Sequence, residues 1–196
     1  IVLAEGALRR CGACGQLVSA ASEAQYQKTM AVFNAPEFNQ PHAHEVERRR
    51  GVARRRLQTV TRLLGQPPAQ TRVLDIGCSR GEFVDAAARE GYIAEGVEPA
   101  PDVAAAARAS GRNVRTGLLE EQRYADGAFD AASLFEVLEH LREPLPLLRE
   151  CHRIIKPGGI LMISTGNAES WTVATMGARW DYFHIETIGG HISFFN

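Results

Sequence analysis

The sequence predicts an α/β fold built on a doubly wound, mostly parallel sheet. Three observations carry that prediction. From about residue 73 onward, short apolar runs of strand character alternate with segments whose apolar residues recur at helical spacing. The connections between them are short, and strand–helix–strand repeats of this kind close as right-handed crossovers, giving a parallel sheet covered on both faces. The 196 residues are 45% hydrophobic and 23% charged, which is enough apolar material to bury a core and too balanced for a disordered tail.

Residues 1–20 hold Cys11-Gly12-Ala13-Cys14-Gly15 between apolar neighbours. A CxxC turn aims two thiolates at one point, as a zinc knuckle does, but a structural zinc needs four ligands. Cys78 and Cys151 belong to other elements, and His42 and His44 have no finger-like spacing. Zinc is therefore expected only with a second knuckle upstream, and residues 1–20 are read as a partial zinc-ribbon-like knuckle or a hairpin with two reduced cysteines. Residues 21–65 are read as a linker or lid, polar with Pro36 and Pro41, followed by a helix from Glu45. Val46, Ala53, Leu57, Val60 and Leu64 form its apolar stripe, and Arg48, Arg49, Arg54, Arg55 and Arg56 fall mainly off it, as on a solvated face. Gly65-Gln66-Pro67-Pro68 stops that helix.

Residues 66–196 carry the alternation. Strands are predicted at Val73–Ile76, Tyr92–Val97, Asn113–Thr116, Phe129–Phe135 and Ile160–Ser164, and helices at Gly81–Glu90, Asp102–Ser110 and Pro144–Ile155. The last helix shows Leu147, Leu148, Cys151, Ile154 and Ile155 on one face, with Pro144 suited to its first turn. Lys156-Pro157-Gly158-Gly159 reads as its stop.

The composition also excludes. A net charge of −1 removes the simple case for a nucleic-acid or anionic-membrane partner. No apolar run approaches the roughly 20 residues of a membrane span. Four cysteines are too few for a disulfide scaffold, and the reading is of a cytoplasmic protein. The chain starts at Ile1 without a methionine and stops at Asn196 after a strand-like stretch, so it is expected to be a piece of something longer.

In an open parallel sheet, ligands bind beyond the carboxyl ends of the strands. The first strand ends in Asp75-Ile76-Gly77-Cys78-Ser79-Arg80-Gly81, where glycines permit close approach and a helix start offers free N–H donors. The second strand ends at Glu98, 17 residues after Gly81, placed to accept both hydroxyls of a ribose. A dinucleotide fold needs G-x-G-x-x-G around a pyrophosphate. Here the two glycines are four apart, and Asp75 would oppose an anion. A cofactor with an ammonium and a sulfonium suits that carboxylate better, and S-adenosylmethionine is such a cofactor.

These residues resemble a known family. Val-Leu-Asp-Ile-Gly-Cys-Ser-Arg-Gly (73–81) is similar to the first motif, D-x-G-x-G-x-G, of class I S-adenosylmethionine-dependent methyltransferases. Val-Glu-Pro (97–99) resembles their acidic second motif. Phe129-Asp130 with Leu-Phe-Glu-Val-Leu-Glu-His-Leu (134–141) resembles the fourth strand and its loop, and Ile-Ile-Lys-Pro-Gly-Gly-Ile-Leu (154–161) the turn into strand five. The similarity covers roughly residues 70–165 and departs at Ser79, where the family has its middle glycine. It implies a Rossmann-like fold and S-adenosylmethionine as cofactor. It also implies cofactor-binding roles for Asp75 (the ammonium, through water), Gly77, Cys78, Ser79 and Gly81 (the loop), Glu98 (the ribose), Leu118 and Leu119 (the adenine), and Phe135 and Glu136 (the methionine end). By the family's usual seven-strand count, the five strands here lack the C-terminal strand 6–7 hairpin and final helix, with 31 residues after Thr165.

A hydroxyl or carbon acceptor must lose a proton as it is methylated, which calls for a base. His140, after strand four, and His191, in Gly-Gly-His-Ile-Ser-Phe-Phe, are the catalytic candidates, with His184 behind them. Glu136, Glu139 and His140 form E-x-x-E-H, which resembles a magnesium-binding segment of quinone-biosynthesis O-methyltransferases. The same stretch is common in enzymes without metal, so no metal site is assigned. The expected acceptor is a small molecule methylated at oxygen, less favourably at carbon. Its pocket is expected in 21–44 and 166–196, with Tyr26, Trp171, Trp180, Tyr182 and Phe183. The rivals are a nicotinamide oxidoreductase, disfavoured by the two-glycine loop, and a non-enzymatic module that binds nucleic acid through Arg48–Arg56.

Overall fold

A computed structural model of the chain describes residues 2–3, 6–34, 43–184 and 190–196; Pro36, Pro41 and His42 of the expected linker and Gly189 before His191 lie outside them. In chain order the elements are β1 (Val2–Leu3), β2 (Gly6–Arg10), β3 (Leu17–Ser19), α1 (Glu23–Met30), α2 (Ala43–Leu64), β4 (Arg72–Ile76), α3 (Glu82–Arg89), β5 (Ile93–Glu98), α4 (Pro101–Ala109), β6 (Val114–Thr116), β7 (Phe129–Phe135), α5 (Pro144–Ile154), β8 (Ile155–Ser164), α6 (Trp171–Met176) and β9 (Ser193–Phe194). They group into two units, a sheet unit of Pro36–Phe135 with Leu145–Ile163 and an accessory unit of Ile1–Ala35, Glu136–Pro144 and Ser164–Asn196.

The sheet unit holds a five-stranded sheet in the order β6-β5-β4-β7-β8. The pairs β4–β5, β4–β7 and β5–β6 are parallel, with Asp75 opposite Gly96 on one side and Ser133 on the other. The central strands read as near-continuous apolar runs because both faces are covered: β7 is buried from Phe129 to Leu134. The predicted stripe of α2 supplies Ala53, Leu57 and Val60 to a core with Val73, Phe83, Ala86, Ala87, Tyr92 and Ala131. Asp130, 3% exposed, accepts the Arg72 N–H at 2.8 Å and the Lys156 ammonium at 2.7 Å, tying neighbouring segments of the sheet. Four arginines of α2 have carboxylate partners within the protein. Arg48 and Arg49 reach Glu45, Arg50 reaches Glu47 and Asp85, and Arg54 reaches Glu90.

The accessory unit holds a second sheet, antiparallel, in the order β1-β2-β3-β9. Strands β2 and β3 form a hairpin across the Cys11–Cys14 turn, whose cysteines are free and exposed. Leu8, Leu17, Ala168, Phe183 and Phe194 make its core. The polar stretch read as linker or lid contains α1, started by a capping box in which the Ser22 hydroxyl accepts from Gln25 N and the Gln25 side chain accepts from Ser22 N.

Two expectations are corrected. The Rossmann-like sheet is expected from sequence to lack the C-terminal strand 6–7 hairpin and final helix. Instead the five-stranded sheet contains β6 and β7, and the chain beyond β8 forms α6 and then β9, which pairs antiparallel with β3. Neither element has a local signature: α6 is six residues without a stripe, and β9 is two residues whose partner lies far away in sequence. Strand five was expected to start at Ile160, after a Pro-Gly-Gly stop, but β8 starts at Ile155. β8 lies at the edge of the sheet, the place where a proline such as Pro157 is tolerated in a strand. Among the described residues no helix is long and apolar enough to cross a membrane.

Candidate functional site

In the sheet unit, the predicted residues gather at the carboxyl ends of β4 and β5. Glu98, the last residue of β5, accepts Ser79 N–H at 2.8 Å through Oε2 and Ala100 N–H at 2.9 Å through Oε1. Those bonds hold the loop after β4 against the neighbouring strand, and each oxygen keeps lone-pair capacity for a further donor. Ser79 sits at φ 50°, in the left-handed region that glycine occupies without strain. Gly81 (φ 76°) leads into α3, and a Cβ there would press on Arg112 and Val114 at 3.2 Å. Gly77 N–H and Cys78 N–H both bond the Val97 carbonyl, at 2.8 and 3.1 Å. The Cys78 side chain turns into the core with Val84, Ala104, Ala107 and Val114, and burial pushes its thiol pKa up, so only its backbone belongs to the loop.

Asp75 is 5% exposed and accepts the Ser133 hydroxyl at 2.7 Å, as the β4–β7 register dictates. Burial raises its pKa to about 7, while the Ser133 bond and the Arg56 charge act against that rise. Burial also pushes Glu98 up, opposed by its two backbone bonds. The guanidinium of Arg56 lies 3.7 Å over the Phe135 ring, which packs edge-on against Phe83 with centroids 5.2 Å apart. Leu119 is 2% exposed and points into the protein, whereas Leu118 is 54% exposed. The two leucines therefore do not flank one ligand equally.

The remaining predicted residues come together in the accessory unit. Glu136 follows Phe135 in the chain at φ 56°, a left-handed conformation that costs a non-glycine residue of order 1–3 kcal/mol. Its carboxylate accepts the Ser164 hydroxyl at 2.9 Å, and burial raises its pKa, reinforced by Glu139. Glu139 is fully buried; its Oε1 accepts the Tyr182 phenol at 2.6 Å and its Oε2 accepts the Thr165 hydroxyl at 3.0 Å. His140 and His191 lie with ring centroids 4.8 Å apart, and His191 with Tyr182 4.0 Å apart. Phe33 packs on His140 (4.9 Å) and Trp180 stacks on Tyr182 (4.7 Å), completing a row of five rings. The His140 carbonyl accepts the Tyr26 hydroxyl at 2.9 Å. His184 stands apart from this row, its Nε2 2.7 Å from the Ala178 carbonyl. Of the E-x-x-E-H set, Glu139 and His140 bring donor atoms within 4.8 Å of one another together with His191, and Glu136 does not join that trio.

With this geometry in place, comparison with known proteins identifies the chain's relatives. A family model described as a methyltransferase domain matches residues 46–196. The chain belongs to that methyltransferase domain family. It is 34% identical over 123 residues to a ubiquinone biosynthesis O-methyltransferase of Thiobacillus denitrificans, covering 58% of this chain and 53% of the relative. A protein of the same name from Xanthomonas axonopodis pv. citri is 32% identical over 124 residues, covering 58% and 51%. The chain thus spans about half the length of the curated relatives it matches. Among solved structures, an S-adenosylmethionine-dependent methyltransferase of Thermotoga maritima superimposes with a TM-score of 0.57 at 25% identity, over 86% of this chain and 74% of that one. One from Archaeoglobus fulgidus gives 0.51 at 30% identity, over 62% and 55%.

Three residues of this methyltransferase domain escaped the sequence reading of the site. By sequence Arg56 falls with the solvated arginine face, although in the structure it sits over Phe135 and carries its charge toward Asp75. The available signal was its place one residue before Leu57 on the buried stripe. The sequence offers Glu139 as a metal ligand and Tyr182 as a pocket aromatic. Their pairing across 43 residues has no sequence signature.

Proposed function

We propose that this methyltransferase domain binds S-adenosylmethionine in the sheet unit and transfers its methyl group to a hydroxyl of a small molecule. The observation that carries the reading is the pair of buried carboxylates, Asp75 and Glu98, at the ends of adjacent parallel strands with Arg56 beside one of them. The donor set fits the cofactor. Burial costs Asp75 its ionised form, so an ammonium next to it recovers a large electrostatic gain. Glu98 is held by backbone bonds with lone pairs left over for two ribose hydroxyls. A phosphate-bearing cofactor would meet two carboxylates instead.

In this reading Asp75 orients the ammonium, Arg56 takes the carboxylate of the methionine end, Glu98 takes the ribose, and Gly77, Cys78, Ser79 and Gly81 line the loop with backbone. Leu119 supports the adenine side, Phe135 backs Arg56, and Glu136 belongs with the proton-handling residues of the accessory unit. When bound, the cofactor supplies an electrophilic methyl group on a sulfonium. The protein's own tasks are to hold it, to exclude water and to take the proton of the acceptor. His140 and His191 are the imidazoles this reading assigns to that proton. The row of rings from Phe33 to Trp180 supports a planar acceptor. Hydroxyl methylation also agrees with the relatives named as O-methyltransferases. The cytoplasm is the compartment that supplies this cofactor and keeps the exposed Cys11 and Cys14 reduced.

The test is release of S-adenosylhomocysteine from S-adenosylmethionine in the presence of a panel of catechols, other phenols, sugars and amines. Product from at least one hydroxyl compound is expected, with methyl found on oxygen. Methyl recovered only on nitrogen, or no transfer to any member, would overturn the reading.

A further inference from the structure

We propose that Tyr182 is the positioning residue of the proton-handling cluster: its main-chain carbonyl sets the tautomer of His191 while its phenol clamps Glu139, leaving His191 Nε2 as the atom that accepts a proton. This inference rests on the hydroxyl-methylation reading above and assigns the step that sequence alone left between two histidines.

The geometry runs through one side chain. His191 Nδ1 lies 3.1 Å from the Tyr182 carbonyl oxygen. A carbonyl can only accept, so Nδ1 carries the hydrogen and the lone pair of the neutral ring is on Nε2. No hydrogen bond among the described residues takes up Nε2. That carbonyl is held by the ring of its own residue, which is anchored at its far end. The phenol donates to Glu139 Oε1 at 2.6 Å, accepts Gly166 N–H at 2.8 Å and lies 3.4 Å from Glu136 Oε2. Burial and Glu139 both push the phenol's pKa up, so it stays protonated and keeps donating. The ring is seated so closely on residue 166 that any Cβ there would overlap it, which explains glycine at that position. Ile192 N–H bonds the Glu139 carbonyl at 2.8 Å, tying the residue after His191 to the same carboxylate-bearing turn.

The charged and titratable groups that gather with His191 are Glu136, Glu139, His140 and Tyr182. Burial lowers the pKa of His191, which keeps the ring neutral and able to accept, while the Tyr182 carbonyl and the charge of Glu136 act to raise it. In the step assigned to it, the acceptor hydroxyl gives its proton to Nε2 as its oxygen forms the new C–O bond. Bound S-adenosylmethionine would supply the methyl group, its sulfur keeping the electron pair of the broken C–S bond. The resulting imidazolium has Glu136 as its counter-charge, and Nδ1–H remains on the Tyr182 carbonyl throughout.

The experiment is nitrogen-15 NMR of histidine-labelled protein, which needs neither cofactor nor acceptor. Neutral His191 should be the Nδ1–H tautomer in the wild type. Tyr182→Phe removes only the phenol oxygen, and Gly166→Ala displaces the ring without touching Tyr182. Both should shift the tautomer toward Nε2–H while circular dichroism stays native. With the panel hydroxyl that the wild type methylates, Tyr182→Phe should lower kcat about 10- to 100-fold with KM changed less than about twofold, the pattern of a misplaced base. Wild-type His191 protonated at Nε2 would overturn the inference, as would a tautomer unmoved in both variants. If the tautomer behaves as stated but no hydroxyl is methylated, the functional reading fails and the positioning role stands.

Discussion

Asp75→Asn should stabilise this protein while abolishing cofactor binding. The carboxyl of Asp75 ionises near pH 7 in the folded chain, against an ordinary value near 4 when unfolded, and burial is the main cause. Between those limits the unfolded chain has released this proton and the folded chain has not. The unfolded state then binds fewer protons, so stability falls as pH rises through the window. About three pH decades at roughly 1.4 kcal/mol each give a cost of about 4 kcal/mol above pH 7, fully absent below pH 4. The asparagine side chain keeps the volume, still accepts the Ser133 hydroxyl and has nothing to ionise. Urea denaturation of both proteins at pH 5 and pH 8, with unchanged m-values, reads the difference directly. The variant's advantage should grow by about 2–3 kcal/mol from pH 5 to pH 8. An advantage that does not grow with pH would refute the claim that Asp75 is held against its own ionisation until a cation arrives.

Glu98→Gln converts one charged acceptor into a neutral amide and should weaken S-adenosylhomocysteine binding about 30- to 100-fold by calorimetry, the scale of one lost charge-assisted bond. Arg56→Ala should weaken S-adenosylhomocysteine about tenfold or more yet leave methylthioadenosine, which lacks the amino-acid end, unaffected; equal losses for both would assign Arg56 to packing on Phe135 alone. His191 has a folded pKa below its unfolded one, so its stabilisation is complete above about pH 6.5 and is lost as pH falls below it. Melting curves should therefore show a steeper loss from pH 7 to pH 5 in the wild type than in His191→Gln, and parallel curves would contradict that burial.

The sheet unit was legible because its signals are local. Strand four was read at its observed bounds, and the stripe Ala53, Leu57, Val60 is the one that α2 buries. The loop residues Asp75, Ser79, Gly81 and Glu98 could be placed because glycine spacing and a strand-end acid are local patterns too. The accessory unit was not legible in this way. Strand β9 is two residues long and finds β3 only through tertiary packing, and α1 hides in a polar stretch because Ser22 and Gln25 start it without an apolar stripe. Leu118 illustrates a different limit: two adjacent leucines cannot both face inward where the chain turns, and sequence does not say which one does. Arg56 and Arg55 are likewise identical in composition and differ only in which side of α2 they occupy.

The most direct test of the central claim is calorimetric titration of the folded wild-type chain with S-adenosylmethionine and with S-adenosylhomocysteine. One saturable site per chain for both ligands is predicted, with proton release on binding near pH 6–7 as Asp75 ionises against the ammonium. No heat from either ligand, in a chain shown to be folded, would contradict it.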